Sequence, residues 1–168
     1  MVQFISVNPK DCTGCRECEI ICSLHHYGEC NPELSAVRVA RNEGRGLAEP
    51  VPLVCQQCDE PACLDACPVD AIFKAEGSGN LTVDPDSCTG CGECTQACPA
   101  GCIFLDAAEE KAITCDLCGG EPQCVPMCHS ASLQISKADR EGEFKRVDRL
   151  ADLLTRSSKE AGMAQALT

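Results

Sequence analysis

The sequence predicts an α+β fold built of duplicated units, with short strands and short helices wrapped around metal clusters and a helix at the C-terminal end. Three observations predict it. Cysteine supplies 18 of the 168 residues, above the roughly 8–10% at which a short chain is read as a disulfide scaffold or a metal protein. Sixteen of those cysteines fall into four groups of four, and the groups repeat. Trp is absent, with one Tyr and four Phe, too few aromatic side chains to fill the core of a chain this long. Something other than side chains would fill it.

Lys and Arg number 14 against 26 Asp and Glu, for a net charge of −12. That balance excludes nucleic-acid phosphates and an anionic membrane surface as partners. No apolar run approaches the roughly 20 residues of a membrane helix, and residues 1–12 carry neither a basic start nor an apolar signal stretch. A cytoplasmic chain is expected, and reducing cytosol favours thiolate ligands over disulfides.

Along the chain, residues 3–7 form the first expected strand. The first group follows, Cys12, Cys15, Cys18 and Cys22. Its C-x2-C-x2-C-x3-C spacing suits a 4Fe–4S cubane, because one tight loop delivers three thiolates while a fourth, on the departing helix, reaches a neighbouring cluster. Gly14 lies inside that loop, where positive φ lets backbone N–H groups approach the sulfurs. Residues 41–49, RNEGRGLAE, have charge and glycine without phosphate-loop spacing and are expected to form a connecting loop. The second group, Cys55, Cys58, Cys63 and Cys67, is looser and ends in Pro68.

Expected strands at 72–74 and 81–83 lead to the third group, Cys88, Cys91, Cys94 and Cys98, which repeats the spacing of the first with Gly90 inside and Pro99 after it. A strand at 103–105, the looser fourth group of Cys115, Cys118, Cys124 and Cys128, and a strand at 133–135 complete the cysteine-bearing part. Beyond it Phe144, Val147, Leu150 and Leu154 recur at gaps of three and four. Glu141 and Glu143 come early and Arg156 and Lys159 late, the polarity that suits a helix. This C-terminal amphipathic helix either packs on the chain's own body or docks into a catalytic subunit. Truncation after Ala138 separates the two: lost cluster content marks the first, lost complex formation the second.

Taken alone, the second and fourth groups would each suit zinc. A zinc-loaded structural module is therefore the reading of another class, colourless where cubanes are brown. Repetition decides for iron. Glu60-Pro61-Ala62-Cys63 recurs as Glu121-Pro122-Gln123-Cys124, and residues 7–18 recur at 83–94 with Val, Pro, Cys, Thr, Gly, Cys, Glu and Cys in register.

Four such motifs between Cys12 and Leu133 resemble the four-cluster polyferredoxin subunits that serve molybdenum or tungsten pterin enzymes, hydrogenases and carbon monoxide dehydrogenases. Cys12-Thr13-Gly14-Cys15-Arg16-Glu17-Cys18, followed by Cys22-Ser23-Leu24-His25-His26, is similar to the small iron–sulfur subunit of bacterial tungsten aldehyde oxidoreductases. The resemblance implies two bacterial-ferredoxin-like units, an inner one at 51–99 inserted into an outer one at 1–50 and 100–138, with 139–168 as a helical tail. It implies four 4Fe–4S clusters: Cys12, Cys15, Cys18 and Cys128; Cys22, Cys115, Cys118 and Cys124; Cys55, Cys58, Cys63 and Cys98; and Cys67, Cys88, Cys91 and Cys94. Ser23 and His129 depart from the pattern, standing where Pro68 and Pro99 follow the other groups.

The resemblance further implies a non-catalytic electron-transfer subunit, with the clusters strung as a wire. Its partners would be a large pterin-containing catalytic subunit and an FAD/NAD-binding subunit or soluble carrier. Carbon monoxide dehydrogenase, formate dehydrogenase and hydrogenase are the alternative partners. Sixteen thiolates against four cluster cores would bring the holo charge to about −20, so a partner with a basic patch is expected. Clusters exposed at both ends would allow copies to stack into longer conductors, which light scattering would dismiss if only small closed assemblies formed.

The remaining residues read blandly. Cys30 and Cys102 lack partners at ligand spacing and are expected to be small buried hydrophobes. His25, His26 and His129 are expected to make structural or surface hydrogen bonds, and Tyr27 and Arg16 to pack and be solvated. No phosphate loop, nucleophile elbow, paired-carboxylate signature or zincin helix is present, so no substrate-converting site is expected.

Overall fold

A computed structural model describes residues 2–42 and 49–138. The C-terminal helix expected within 139–168 lies outside the described residues. In chain order the elements are β1 (Val2–Val7), α1 (Glu17–Tyr27), β2 (Arg38–Asn42), β3 (Glu49–Leu53), α2 (Ala62–Asp65), β4 (Ile72–Lys74), β5 (Leu81–Val83), α3 (Glu93–Ala97), β6 (Phe104–Leu105), β7 (Ala112–Ile113), α4 (Cys124–Met127) and β8 (Leu133–Ala138). Four antiparallel two-stranded sheets result, β1–β8, β2–β3, β4–β5 and β6–β7.

The β1–β8 sheet joins the two ends of the described chain, from Val2 opposite Ala138 to Val7 opposite Leu133. Phe4, Ile5 and Leu133 are buried there, and beyond the last pair Asn8 and Ser132 close the sheet: the Asn8 N–H donates to the Ser132 carbonyl and the Ser132 hydroxyl to the Asn8 carbonyl, both at 2.8 Å. The helices pair in the same nested order, α1 on α4 and α2 on α3. Short strands and one-turn helices of this kind cannot bury enough apolar surface by themselves. The main core accordingly mixes Ile5, Val37, Val54, Leu81 and Leu117 with Cys18, Cys22, Cys55, Cys63, Cys94, Cys115 and Cys124.

Of residues 41–49, expected to form a connecting loop, Arg41 and Asn42 instead end β2 and Glu49 begins β3, while 43–48 lie outside the described residues. Pro50 and Pro52 hide the strand from sequence reading, yet both lie opposite alternate residues of β2, Arg41 and Val39. The Val39 N–H points away from β3 and donates to the Glu19 carboxylate at 2.6 Å. Prolines at those positions therefore forfeit no ladder hydrogen bond. β7 is likewise absent from the expectation, because two residues carry no periodicity.

Gln57 ties the middle of the chain to its later part. Buried at 3% exposure, it donates from Nε2 to the Cys115 carbonyl and accepts the Leu81 N–H at Oε1, 2.8 Å away. Asn80 adds a second tie, donating to the Asp116 carbonyl at 2.9 Å. Gln57→Ala leaves two buried backbone groups unpaired, a cost of about 2–5 kcal/mol. Anaerobic thermal bleaching of the variant should begin at clearly lower temperature than in the parent chain; an unchanged profile would mean that water replaces both bonds.

Candidate metal centres

The four cysteine groups share one backbone device. The residue just before each second cysteine has positive φ: Gly14 at 73°, Gln57 at 52°, Gly90 at 70° and Leu117 at 60°. Glycine adopts this region freely, whereas Gln57 and Leu117 are held in it by burial, Leu117 at 0% exposure. A second device follows the last cysteine. Asp70, Gly101 and Ala131 stand three residues beyond Cys67, Cys98 and Cys128, with φ of 52°, 59° and 54°. The turn aims the next N–H back at the sulfur: Ala71 donates to Cys67 Sγ at 3.3 Å and Cys102 to Cys98 Sγ at 3.4 Å.

Cys102 thus occupies the place of Ala71 in its own turn. Its thiol is 1% exposed and donates to the Ala100 carbonyl at 3.1 Å, the small buried role expected of it. Cys30 differs from that expectation in being exposed. The first group also differs from the others in that its helix, α1, runs on past Cys22 to Tyr27. The Cys22 sulfur takes an N–H from Ala36 instead, at 3.4 Å. Gln57 and Ala112 donate in the same way to Cys55 and Cys88, at 3.5 and 3.4 Å.

Burial raises most of these thiols, and neighbouring sulfurs add to it, within and between the groups. Burial pushes the Cys18 thiol up to about 12, with Glu19, Cys15 and Cys12 adding to it, and burial raises Cys12, with Cys15 and Cys128 close enough to contribute. Burial likewise pushes Cys124 up to about 12, helped by Cys22 and Cys118, and raises Cys115, beside Cys55, Cys124 and Cys22. Cys63 is pushed up to about 12 by burial, then by Cys55 and Cys98, and these three line one pocket with Cys58. Cys94 is raised by burial and by Cys88, Cys91 and Cys67, and those four line another pocket. Cys128 is the exception. Burial would raise it, but the N–H groups of Leu133, Ser132 and Ser130 and the Ser130 hydroxyl together hold it below the ordinary thiol value.

All eighteen thiols are free of disulfides. Buried thiols that repel one another as anions, with N–H groups turned toward several of them, are a donor set that a cationic iron–sulfur core satisfies. Four soft sulfurs per set fit a 4Fe–4S cubane, which takes one thiolate at each iron.

The histidines stand beside the sulfurs without replacing any. His26 Nε2 lies 3.7 Å from Cys118 Sγ and 3.5 Å from Asp116, while His129 Nδ1 lies 4.0 Å from Cys15 Sγ and 3.4 Å from Glu17. His25 is exposed, its ring edge-on to His26. Arg16 does more than meet solvent: its Nε sits 2.8 Å from the Glu19 carboxylate, whose side chain is wholly buried. Glu19 joins the first loop to α1 and β2, and no sequence signal marks it.

Sulfur sets of this form define an iron–sulfur protein of the ferredoxin type. Residues 48–138 match the model of the 4Fe-4S dicluster domain, and residues 9–28 that of a 4Fe-4S binding domain. The chain belongs to the 4Fe-4S dicluster domain family and binds 4Fe–4S clusters. It is 41% identical over 128 residues to the polyferredoxin-like subunit of an aliphatic sulfonate oxidoreductase from Pyrococcus furiosus, a match covering 76% of this chain and 72% of that one. It is 38% identical over 114 residues to a tetrathionate reductase subunit of Archaeoglobus fulgidus, covering 67% of this chain and 53% of the relative. With the beta subunit of an NADH-dependent phenylglyoxylate dehydrogenase from Aromatoleum evansii it shares 33% identity over 136 residues, 80% of this chain and 30% of that longer one. These relatives are named as subunits of oxidoreductases, in keeping with a chain that is non-catalytic itself. No helix among the described residues is long and apolar enough to cross a membrane.

Proposed function

We propose that the chain is the electron-transfer subunit of an oxidoreductase complex and carries four 4Fe–4S clusters in a line. What supports this reading is that thiols from distant segments lie close enough to repel one another: Cys12 with Cys128, Cys124 with Cys22, Cys63 with Cys98 and Cys94 with Cys67. Cys12, Cys15, Cys18 and Cys128 hold the first cluster, and Cys22, Cys115, Cys118 and Cys124 the second. Cys55, Cys58, Cys63 and Cys98 hold the third, and Cys67, Cys88, Cys91 and Cys94 the fourth. When bound, each cluster supplies a centre that gains or loses one electron.

Shared elements support this order. Cys18 and Cys22 both ride on α1, Cys115 lies beside Cys55, and Cys94 and Cys98 span α3 to its end. Cys15 and Cys91, at the two extremes, are exposed, whereas Cys55 and Cys115, where the middle sets meet, are buried. The N–H donors to Cys22, Cys55, Cys67, Cys88 and Cys98 stabilise sulfur charge and so favour the reduced state.

The repeated turns and the pairing of β1 with β8 and α1 with α4 support the division into an outer unit, 1–50 and 100–138, and an inner one, 51–99. The catalytic partner is a tungsten or molybdenum pterin enzyme of the aldehyde oxidoreductase kind, and the electron acceptor is a flavin subunit or soluble carrier, in the cytoplasm. Reductive titration of the holo chain separated anaerobically from its partners, together with metal analysis of the intact complex, tests this reading. About four electrons should be taken up per copy of this chain, with tungsten or molybdenum co-purifying; uptake of about two, or a complex without either metal, would overturn the count or the partner respectively.

A further inference from the structure

A groove lined by no cysteine, although Thr114 and Asp116 in its lining flank Cys115, runs between the C-terminal end of α1 and the β6–β7 turn. It encloses about 320 Å³ and has Leu34, Ala36, Val83 and Ile113 in its lining, with Tyr27 and Asp106 on its wall. Tyr27, Leu34, Asp106 and Glu109 also line an adjoining hollow of about 560 Å³, which adds Glu29 and Glu33. The lining is therefore apolar below and acidic above. Tyr27 is 49% exposed, an aromatic ring open to a partner.

The negative charge is largely uncompensated. Asp106 and Asp116 are engaged with their own turns, accepting the N–H groups of Ala108 and Cys118 at 2.8 Å. The carboxylates of Glu29, Glu33 and Glu109 are exposed and have no ion-pair partner among the described residues. Lys111, on the wall, is committed to the Cys88 carbonyl at 2.6 Å. Arg38, nearby, donates to the Glu33 carbonyl at 2.6 Å and covers the Phe104 ring at 4.2 Å. The field is felt within the groove: burial raises the Tyr27 phenol, and Asp106, Cys22, Glu109 and Asp116 raise it further.

We propose that this groove is a docking surface for a lysine- or arginine-rich segment of a partner subunit. Apolar stems of the basic side chains would lie on Leu34, Val83 and Tyr27 while their charged ends meet Glu29, Glu33 and Glu109. His26, which lines the groove and lies against Cys118, would place such a partner beside the second cysteine set. The inference concerns the surface and does not depend on how many clusters the chain carries.

The test uses the full holo chain and a fluorescein-labelled octalysine peptide, followed by anisotropy at low salt. The triple variant E29Q/E33Q/E109Q should bind the peptide about tenfold more weakly, and the remote triple variant D65N/E76Q/E93Q should change affinity by less than about twofold. Equal losses in both would overturn the proposal, leaving only diffuse attraction to an acidic surface. Failure of the parent chain to bind would also overturn it, as it would if residues 139–168 already covered the groove. Carbodiimide cross-linking of the unaltered chain to the same peptide gives an independent reading. Adducts should concentrate on Glu29, Glu33 and Glu109, and an even spread over the surface acids would contradict the assignment.

Discussion

Stripping the iron is expected to unfold most of the chain. Among the described residues, each of the four sheets has two strands and three of the four α-helices have five residues or fewer, elements that do not persist alone in water. What joins them is the meeting of sulfurs from distant segments, Cys12 with Cys128, Cys22 with Cys124, Cys63 with Cys98 and Cys67 with Cys94. Metal binding in such a domain is folding free energy. After anaerobic chelation, far-ultraviolet circular dichroism should lose most of its structured signal and the hydrodynamic radius should grow. A native-like spectrum with a cooperative thermal transition would show that the aliphatic core suffices by itself.

Gly90→Ala is expected to empty the fourth cysteine set while sparing the rest. Gly90 sits at φ 70° in the loop between Cys88 and Cys91, and a Cβ built there collides with the Glu110 carbonyl oxygen. That carbonyl belongs to backbone, in the turn joining β6 to β7, and cannot swing aside as a side chain would. Strain and collision together displace the loop that positions Cys88, Cys91 and Cys94. Iron should fall by about a quarter, one cubane of four. Gly14, at φ 73°, holds the equivalent place in the first loop, but a Cβ there would meet the Pro50 side chain, Cβ at 3.3 Å and Cγ at 3.5 Å, and no backbone. Gly14→Ala should therefore lose less iron than Gly90→Ala; equal losses would mean that the left-handed backbone alone decides, without the collision.

The cysteine groups were legible in the sequence because their information is local. Spacing fixes which loop can wrap a cubane, and Gly14 and Gly90 mark the left-handed position within it. The same position in the other two loops was not legible, since Gln57 and Leu117 adopt positive φ only through burial against residues far away in sequence. The joining of Cys128 to Cys12, or of Cys98 to Cys55, is likewise tertiary; resemblance suggested it and spacing could not. β1, β4, β5 and β8 were readable as short apolar runs between turn residues. β3 was not, because Pro50 and Pro52 argue against a strand until the register shows which N–H groups the ladder needs. Glu19, buried and joined to Arg16 and Val39, offered no pattern at all.

The measurement that tests the account most directly is the count of iron and acid-labile sulfide per chain, made on protein purified anaerobically from its native host. Four cubanes require about 16 of each. About eight iron atoms, or zinc in place of iron, would contradict the four-cluster reading.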